Sequence, residues 1–274
     1  MYSNFILVSC TTAGREIIKH IFKSKYFSKY FIGVINLNEK RGKKKSDYDN
    51  YNDLVKKYKF QQWKVDNINS KKVLNIIKEN KVNLIFQLGW SEKFENKLLY
   101  LPKYGCIGMH PSYLPEGKGA AILNWAIIKG YNKWGVSYFR MDDKFDNGEI
   151  LSQRRMNIYN NDTIKELINR ANLISLQIFK ENINKWISGK FRFKKKNEKN
   201  KIINYVRALS KPYPGAFVIY KDKKIIIWKL GKKYKFLKKF RNNNFLFKYK
   251  KKLYLNVIES KKIIEVKNFK FEKV

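Results

Sequence analysis

The sequence predicts an α/β fold: a doubly wound, mostly parallel sheet followed by a small β-rich C-terminal domain. Three observations carry this. The apolar run 4–10 (NFILVSC) gives way to the Gly-containing turn Thr11-Thr-Ala-Gly14 and then to a helix-like stretch, REIIKHIF. That is the strand–turn–helix opening of a doubly wound sheet. Further short apolar runs recur at 31–37, 83–88 and 105–109, with amphipathic stretches between them. Beyond a basic, apolar-poor segment that starts at Lys190, the chain breaks into short strand-like runs. The expected boundaries are a catalytic-type domain over 1–189, a linker over 190–203 and the β-rich domain over 204–274. At 274 residues the chain has room for both cores.

Taken in order, the first turn lacks the G-x-G-x-x-G dinucleotide fingerprint, which disfavours a nicotinamide cofactor. His20 falls within the first helix and reads as structural. The second strand, 31–37 (FIGVINL), is followed by a polar segment, 38–53, that contains Arg41-Gly42-Lys43-Lys44-Lys45. Charge runs of this kind are usually solvated loops, and the alternative is an anion-binding loop. A helix at 54–58, a short strand at 62–65 and an amphipathic helix at 71–80 lead to the strand 83–88 (NLIFQL), which ends in Gly89-Trp90-Ser91. On its own Trp90 reads as core.

The strand that begins at Gly105 ends at Met109, because Pro111 and Pro115 forbid its continuation and Gly117 and Gly119 supply turn freedom. His110 therefore lands at a strand end, where α/β sheets place their ligands. It is one of only two histidines, and its unperturbed pKa near neutrality suits proton transfer. A helix over 120–129 carries Trp125, and 134–141 (WGVSYFRM) alternates like a half-buried strand. Asp142 and Asp143 precede Asp146 with no His or Cys beside them, so no metal site is expected. After a strand that begins at 149, Thr163-x-x-Glu166 forms a capping box for a long helix whose apolar face is Ile164, Leu167, Ile168, Ala171 and Ile178. In the C-terminal part a Pro-Tyr-Pro-Gly turn after 204–211 feeds a strand, and strands are expected at 224–229, 245–249, 252–257 and 262–269.

The hydrophobic fraction of 44%, with 16% aromatic residues, indicates a globular chain despite a formal net charge of +38. The lysines are spread over the whole length together with abundant Asn, Ile and Tyr. Such spreading resembles codon bias toward A and T more than a nucleic-acid patch, although it attracts anionic substrates in general. Cys10 and Cys106 lie in apolar runs and read as buried small hydrophobes in a reducing compartment. No signal peptide and no membrane-length apolar run are read from the sequence, so a cytoplasmic location and no membrane partner are expected.

The stretch Gly105-Cys-Ile-Gly-Met-His110-Pro-Ser-Tyr-Leu-Pro115-Glu-Gly-Lys-Gly119, completed by Asp146-Asn-Gly-Glu-Ile150, resembles the signature of the folate-dependent formyltransferases. In that family a strand ends in Asn-x-His-Pro-Ser-x-Leu-Pro, and an Asp-x-Gly-x-Ile segment follows some thirty-five residues later. His110, Pro111, Ser112, Leu114, Pro115, Gly119, Asp146, Gly148 and Ile150 match, and Trp125, Gly130, Gly135 and Gln153 fall where members often carry these types. The resemblance implies a Rossmann-like formyltransferase fold that transfers a formyl group from 10-formyltetrahydrofolate to a primary amine without a metal. His110 and Asp146 are then the catalytic pair. Gly108 stands where the family has its catalytic asparagine, whose loss costs about 2.7–4 kcal/mol of transition-state stabilisation unless another donor substitutes. Gln87 and Asn124 are the positional candidates.

By the same resemblance Leu88, Trp90, Ser91 and Phe94 contact the folate largely through backbone groups, with Met141 and Asp142 in a flanking loop. Ser112, Lys118 and Arg207 are the expected acceptor contacts. The segment Arg207-Ala…Pro212-Tyr-Pro-Gly215-Ala-Phe217 resembles an element of sugar-nucleotide formyltransferases and their transfer-RNA relatives. It favours an amino-sugar nucleotide as acceptor. The basic loop at Arg41 resembles one in transfer-RNA formyltransferases and keeps initiator methionyl-tRNA open as the alternative. A catalytically weakened folate- or RNA-binding homologue is the third reading, and a homodimer is compatible with each.

Overall fold

The structure, a computed structural model, describes residues 2–193, 203, 205–220, 223–235, 246–249, 252–257 and 262–273. Contacts divide the chain into two units, Met1–Lys196 and Asn197–Val274. Most of the expected linker, 194–202, lies outside the described residues, as does Phe245 of an expected strand.

The first unit is built on seven strands: β1 (Phe5–Ser9), β2 (Phe31–Leu37), β3 (Gln61–Val65), β4 (Leu84–Leu88), β5 (Cys106–His110), β6 (Lys133–Arg140) and β7 (Ile150–Asn157). Their order is β3-β2-β1-β4-β5-β6-β7. β1 to β5 pair in parallel, and β6 and β7 run antiparallel at one edge. The chain winds first from β1 toward β3 and then from β4 toward β7, so the order reverses beside β1 and β4. A crevice opens outside the carboxyl ends of the strands at such a reversal.

Helices α1 (Thr12–Phe22), α2 (Lys25–Ser28), α3 (Glu39–Gly42), α4 (Asn52–Tyr58), α5 (Lys71–Glu79), α6 (Asn96–Leu99), α7 (Ile122–Ile128) and α8 (Ile164–Ile187) cover the sheet. The alternation of strand side chains divides the core between the two faces. Phe5, Leu7, Phe86, Ile107 and Met109 pack with α1 and α8, whereas Ile6, Val8, Ile35, Ile85 and Cys106 pack with α5 and α6. Both cysteines are free and buried, and burial pushes both thiols up. His20 lies against the rings of Phe27 and Phe179, a packing role.

One expectation is corrected. β6 is not half-buried: every residue from Trp134 to Phe139 is buried. Trp134, Val136 and Tyr138 join the face covered by α8, where the Tyr138 hydroxyl meets Ser175 Oγ at 2.8 Å. The opposite face is closed by Leu114, Ile150 and the loop after β5, with the Leu114 N–H donating to Ser137 Oγ at 3.0 Å. The basic segment is likewise only partly a solvated loop. It forms α3 and then returns to the end of β1, where Tyr51 is fully buried. The Tyr51 hydroxyl accepts from the Thr11 N–H at 2.9 Å and donates to the Thr11 carbonyl at 2.7 Å. Gly14 is required beneath it, because a Cβ there would lie 2.2 Å from that hydroxyl oxygen.

In the second unit β8 (Ala216–Tyr220), β9 (Lys223–Lys235), β10 (Leu246–Tyr249), β11 (Lys252–Val257) and β12 (Lys262–Lys273) form one antiparallel sheet of order β10-β11-β12-β9-β8. Ile225, Ile227, Leu253, Leu255, Ile264 and Val266 supply its core.

Candidate active site

A cavity of about 670 Å³ opens at the carboxyl ends of β1, β4 and β5, a size ordinary for a small-molecule site. Thr11 lines it from the β1–α1 turn and Ala13 from α1, Gln87, Gly89, Trp90 and Ser91 from the end of β4, and Met109 to Pro111 from the end of β5. The loop entering α7 contributes Gly119 to Asn124, and α8 contributes Ile164, Ile168, Ala171 and Asn172. The long α8 reaches the cavity because its start is pinned: the Thr163 N–H donates to the Glu166 carboxylate at 3.0 Å, completing the capping box.

His110 and Asp146 meet on one wall. The imidazole Nδ1 lies 3.5 Å from Asp146 Oδ1, and the two side chains are 11% and 16% exposed, enough to be reached from the cavity. His110 Nε2 donates to the Gly117 carbonyl at 2.8 Å. The ring thus faces an oxygen at each nitrogen, an arrangement that an imidazolium satisfies at both ends. Asp146 is held from its other oxygen by the Gly119 N–H at 3.0 Å, and its backbone sits at a positive φ of 48°. Aspartate tolerates this left-handed region better than most residues, and strain of this kind gathers where a side chain must be aimed. The neighbouring Gly148 lets the loop pass, since a Cβ there would stand 1.5 Å from the Arg140 carbonyl oxygen.

Gly108 is packed over. A Cβ at this position would lie 2.9 Å from the ring of Phe139 and 3.1 Å from Met141. The volume that an asparagine side chain would enter is filled by these two residues. Gln87, the register partner of Gly108 on β4, lines the cavity. Its amide donates to the Trp90 carbonyl at 2.7 Å. Asn124 also lines the cavity, from α7.

The other expected site residues are distributed more widely. Trp90 and Ser91 line the cavity. Leu88 and Phe94 are buried in the two cores, and Met141 packs against the cluster of Leu114, Phe139 and Ile150. Asp142 braces its own loop, accepting from the Lys144 N–H at 3.0 Å and the Asn147 amide at 3.3 Å. Ser112 is fully buried and its hydroxyl has no hydrogen-bond partner. Lys118 donates to Asn147 Oδ1 at 2.7 Å, tying the loop after β5 to the loop of Asp146. Arg207 is exposed in the second unit. Among the described residues no group of His, Cys, Asp and Glu side chains could hold a metal ion. Sequence reasoning missed Asp47, Thr11 and Asn172, all of which line the cavity. Nothing in their local pattern marks them.

Two family models match the chain, one described as formyl transferase over residues 5–183 and one as formyl transferase, C-terminal domain, over 188–270. The bifunctional polymyxin resistance protein ArnA of Wigglesworthia glossinidia brevipalpis is 34% identical over 194 residues, covering 63% of this chain and 30% of that protein. The methionyl-tRNA formyltransferase of Caldanaerobacter subterraneus is 29% identical over 182 residues, 59% of each chain. The chain thus spans less than two thirds of these relatives. Among solved structures, WlaRD, a sugar 3N-formyl transferase in the presence of dTDP and 5-N-formyl-THF, superposes with a TM-score of 0.55 at 18% identity, covering 97% of this chain and 98% of that one. Phosphoribosylglycinamide formyltransferase from Streptococcus pneumoniae gives the same TM-score and identity over 67% of this chain and 98% of its own.

Proposed function

Because the chain belongs to the formyl transferase family, we propose that it transfers a formyl group from 10-formyltetrahydrofolate to the primary amine of an amino-sugar nucleotide. The observation that supports formyl transfer most directly is the His110–Asp146 contact on the wall of the cavity at the strand ends. The amine nitrogen attacks the formyl carbon and a tetrahedral oxyanion forms. The bond from that carbon to N10 of the folate then breaks, leaving an N-formyl amide and tetrahydrofolate, while the amine loses a proton and N10 gains one. His110 Nε2–H exchanges the Gly117 carbonyl for the developing oxyanion, and the Asp146 carboxylate supports the positive charge on the ring. In this reading Asp146 also takes up the amine proton, directly or through water. With no side chain at position 108, the Gln87 amide and Asn124 are the nearest candidates for a second donor.

The sugar-nucleotide acceptor rests on the Pro212-Tyr-Pro-Gly-Ala-Phe217 segment and its resemblance to sugar-nucleotide formyltransferases. Initiator methionyl-tRNA is the second reading, favoured by the basic residues around Arg41 and by the methionyl-tRNA formyltransferases among the relatives. Substitution tests the catalytic pair. His110→Ala and Asp146→Asn are each expected to lower kcat by about 10²–10⁴-fold, with the affinity for 5-formyltetrahydrofolate unchanged within a factor of about three. Turnover at the wild-type rate in either variant would remove that residue from the reaction.

A further inference from the structure

The chain carries 60 Lys and Arg residues in 274, yet among the described residues none of them lines the cavity, where the carboxylates are Asp47 and Asp146. Asp146 belongs to the pair with His110. Asp47 has no place in the reaction described above. It comes from the segment between β2 and α4, which the Asp49 N–H fastens to the Cys10 carbonyl at 3.0 Å. Its Oδ1 accepts from the Thr12 hydroxyl at 2.7 Å, and the Thr12 hydroxyl accepts from the Asn172 amide of α8 at 2.8 Å. Thr12 is the first residue of α1, and Thr11 before it makes no side-chain cap.

The amino end of α1 is where exposed N–H groups and the helix dipole would welcome an anion. The carboxylate of Asp47 already occupies it. Two cations near it, one on α1 and one on its own segment, are held by other groups. Arg15 is clamped by Asp49 and by Asp53, the latter at 2.7 Å. Lys45 reaches the Gly89 carbonyl at 3.4 Å. Burial, reinforced by Asp49, raises the Asp47 pKa against the lowering effect of Thr12, so the group sits where further negative charge is costly. Beside it the Thr11 hydroxyl oxygen is buried without a partner.

We propose that Asp47 is a specificity-determining residue: its carboxylate fills the anion position at the start of α1, bars phosphate from this end of the cavity and leaves Oδ2 to accept from a hydroxyl or ammonium of the acceptor. This rests on the reading of the cavity as the acceptor site and narrows the acceptor class. The amine-bearing end that enters is a neutral or cationic polyol. Any phosphate it carries stays outside the cavity. A phosphoribosyl amine, with its phosphate on the part that enters, is excluded.

The test uses the full chain and inorganic phosphate as probe. Phosphate binding is measured by calorimetry in the wild type, in Asp47→Asn, which preserves shape, and in Asp47→Ser, which opens space. The expected result is a gain of roughly two- to fivefold in phosphate affinity in at least one variant, the typical range a helix terminus supplies to an anion. No gain in either variant, or wild-type affinity equal to the variants', overturns the proposal. Titration with 5-formyltetrahydrofolate in the same samples verifies that the variants are folded. Its failure to bind the wild type would count against the formyl-transfer reading, while the phosphate result would still decide the role of Asp47.

Discussion

At the residue scale the site is defined by two side chains held from both ends. His110 is fixed between Gly117 and Asp146, and Asp146 between His110 and the Gly119 N–H. Both were legible from the sequence, because the strand-terminating prolines and the Asp-x-Gly-x-Ile segment mark their positions. Asp47 was not legible: it lies in a charge run, and only the fold brings it to the start of α1. Gly108 illustrates a departure whose meaning needs three dimensions. An asparagine there meets Phe139 and Met141, so Gly108→Asn is expected to cost about 1–3 kcal/mol by overpacking, read by urea unfolding, and to lower turnover. A Gly108→Asn variant that gained activity at undiminished stability would show that the space exists. His20 offers a test by pH. Burial, followed by the charges of Lys180 and Lys23, lowers its pKa. As pH falls below about 6.5 the unfolded chain takes up a proton that the folded chain resists, so His20 costs stability on the acid side and nothing at pH 8. His20→Gln should therefore lose less stability than the wild type between pH 8 and pH 5.5. Identical losses would place His20 in water.

At the element scale the cavity depends on strand ends and on the start of α8. The parallel run β1 to β5 and the capping box followed from periodicity and local chemistry. Burial of β6 did not, because alternation reports one apolar face and cannot reveal that the loop after β5 closes the other. The small residues and hydroxyls of β6, Gly135 and Ser137, read as solvent-facing when they in fact meet Tyr113, Leu114 and Ser112. α8 carries Ile164, Ile168 and Asn172 on the cavity, so fraying its first turn reaches the site. Thr163→Ala should cost about 1 kcal/mol of stability, visible as a lower urea midpoint. It should also raise the acceptor KM more than it lowers kcat, since the proposed catalytic pair lies on other elements. A variant with an unchanged midpoint would show that the box does not hold the helix.

For the whole molecule the question is what the positive charge serves. Among the described residues, none of the Lys and Arg behind the net charge of +38 lines the cavity. On the proposed role of Asp47, a chain of this charge attracts polyanions while the cavity itself selects against phosphate. An amino-sugar nucleotide meets both conditions, with its diphosphate outside and its amine within. Transfer to methionyl-tRNA would instead draw on the basic surface, and its affinity would fall steeply with salt, with a log–log slope of about −0.9 for each phosphate neutralised. The measurement that separates these is tetrahydrofolate release from 10-formyltetrahydrofolate in the absence of RNA, with a panel of nucleoside-diphosphate amino sugars as acceptors. The account predicts stoichiometric release with at least one of them, slowed by about 10²–10⁴-fold in His110→Ala. Release that occurs with methionyl-tRNA alone would contradict it and make the transfer-RNA reading the function.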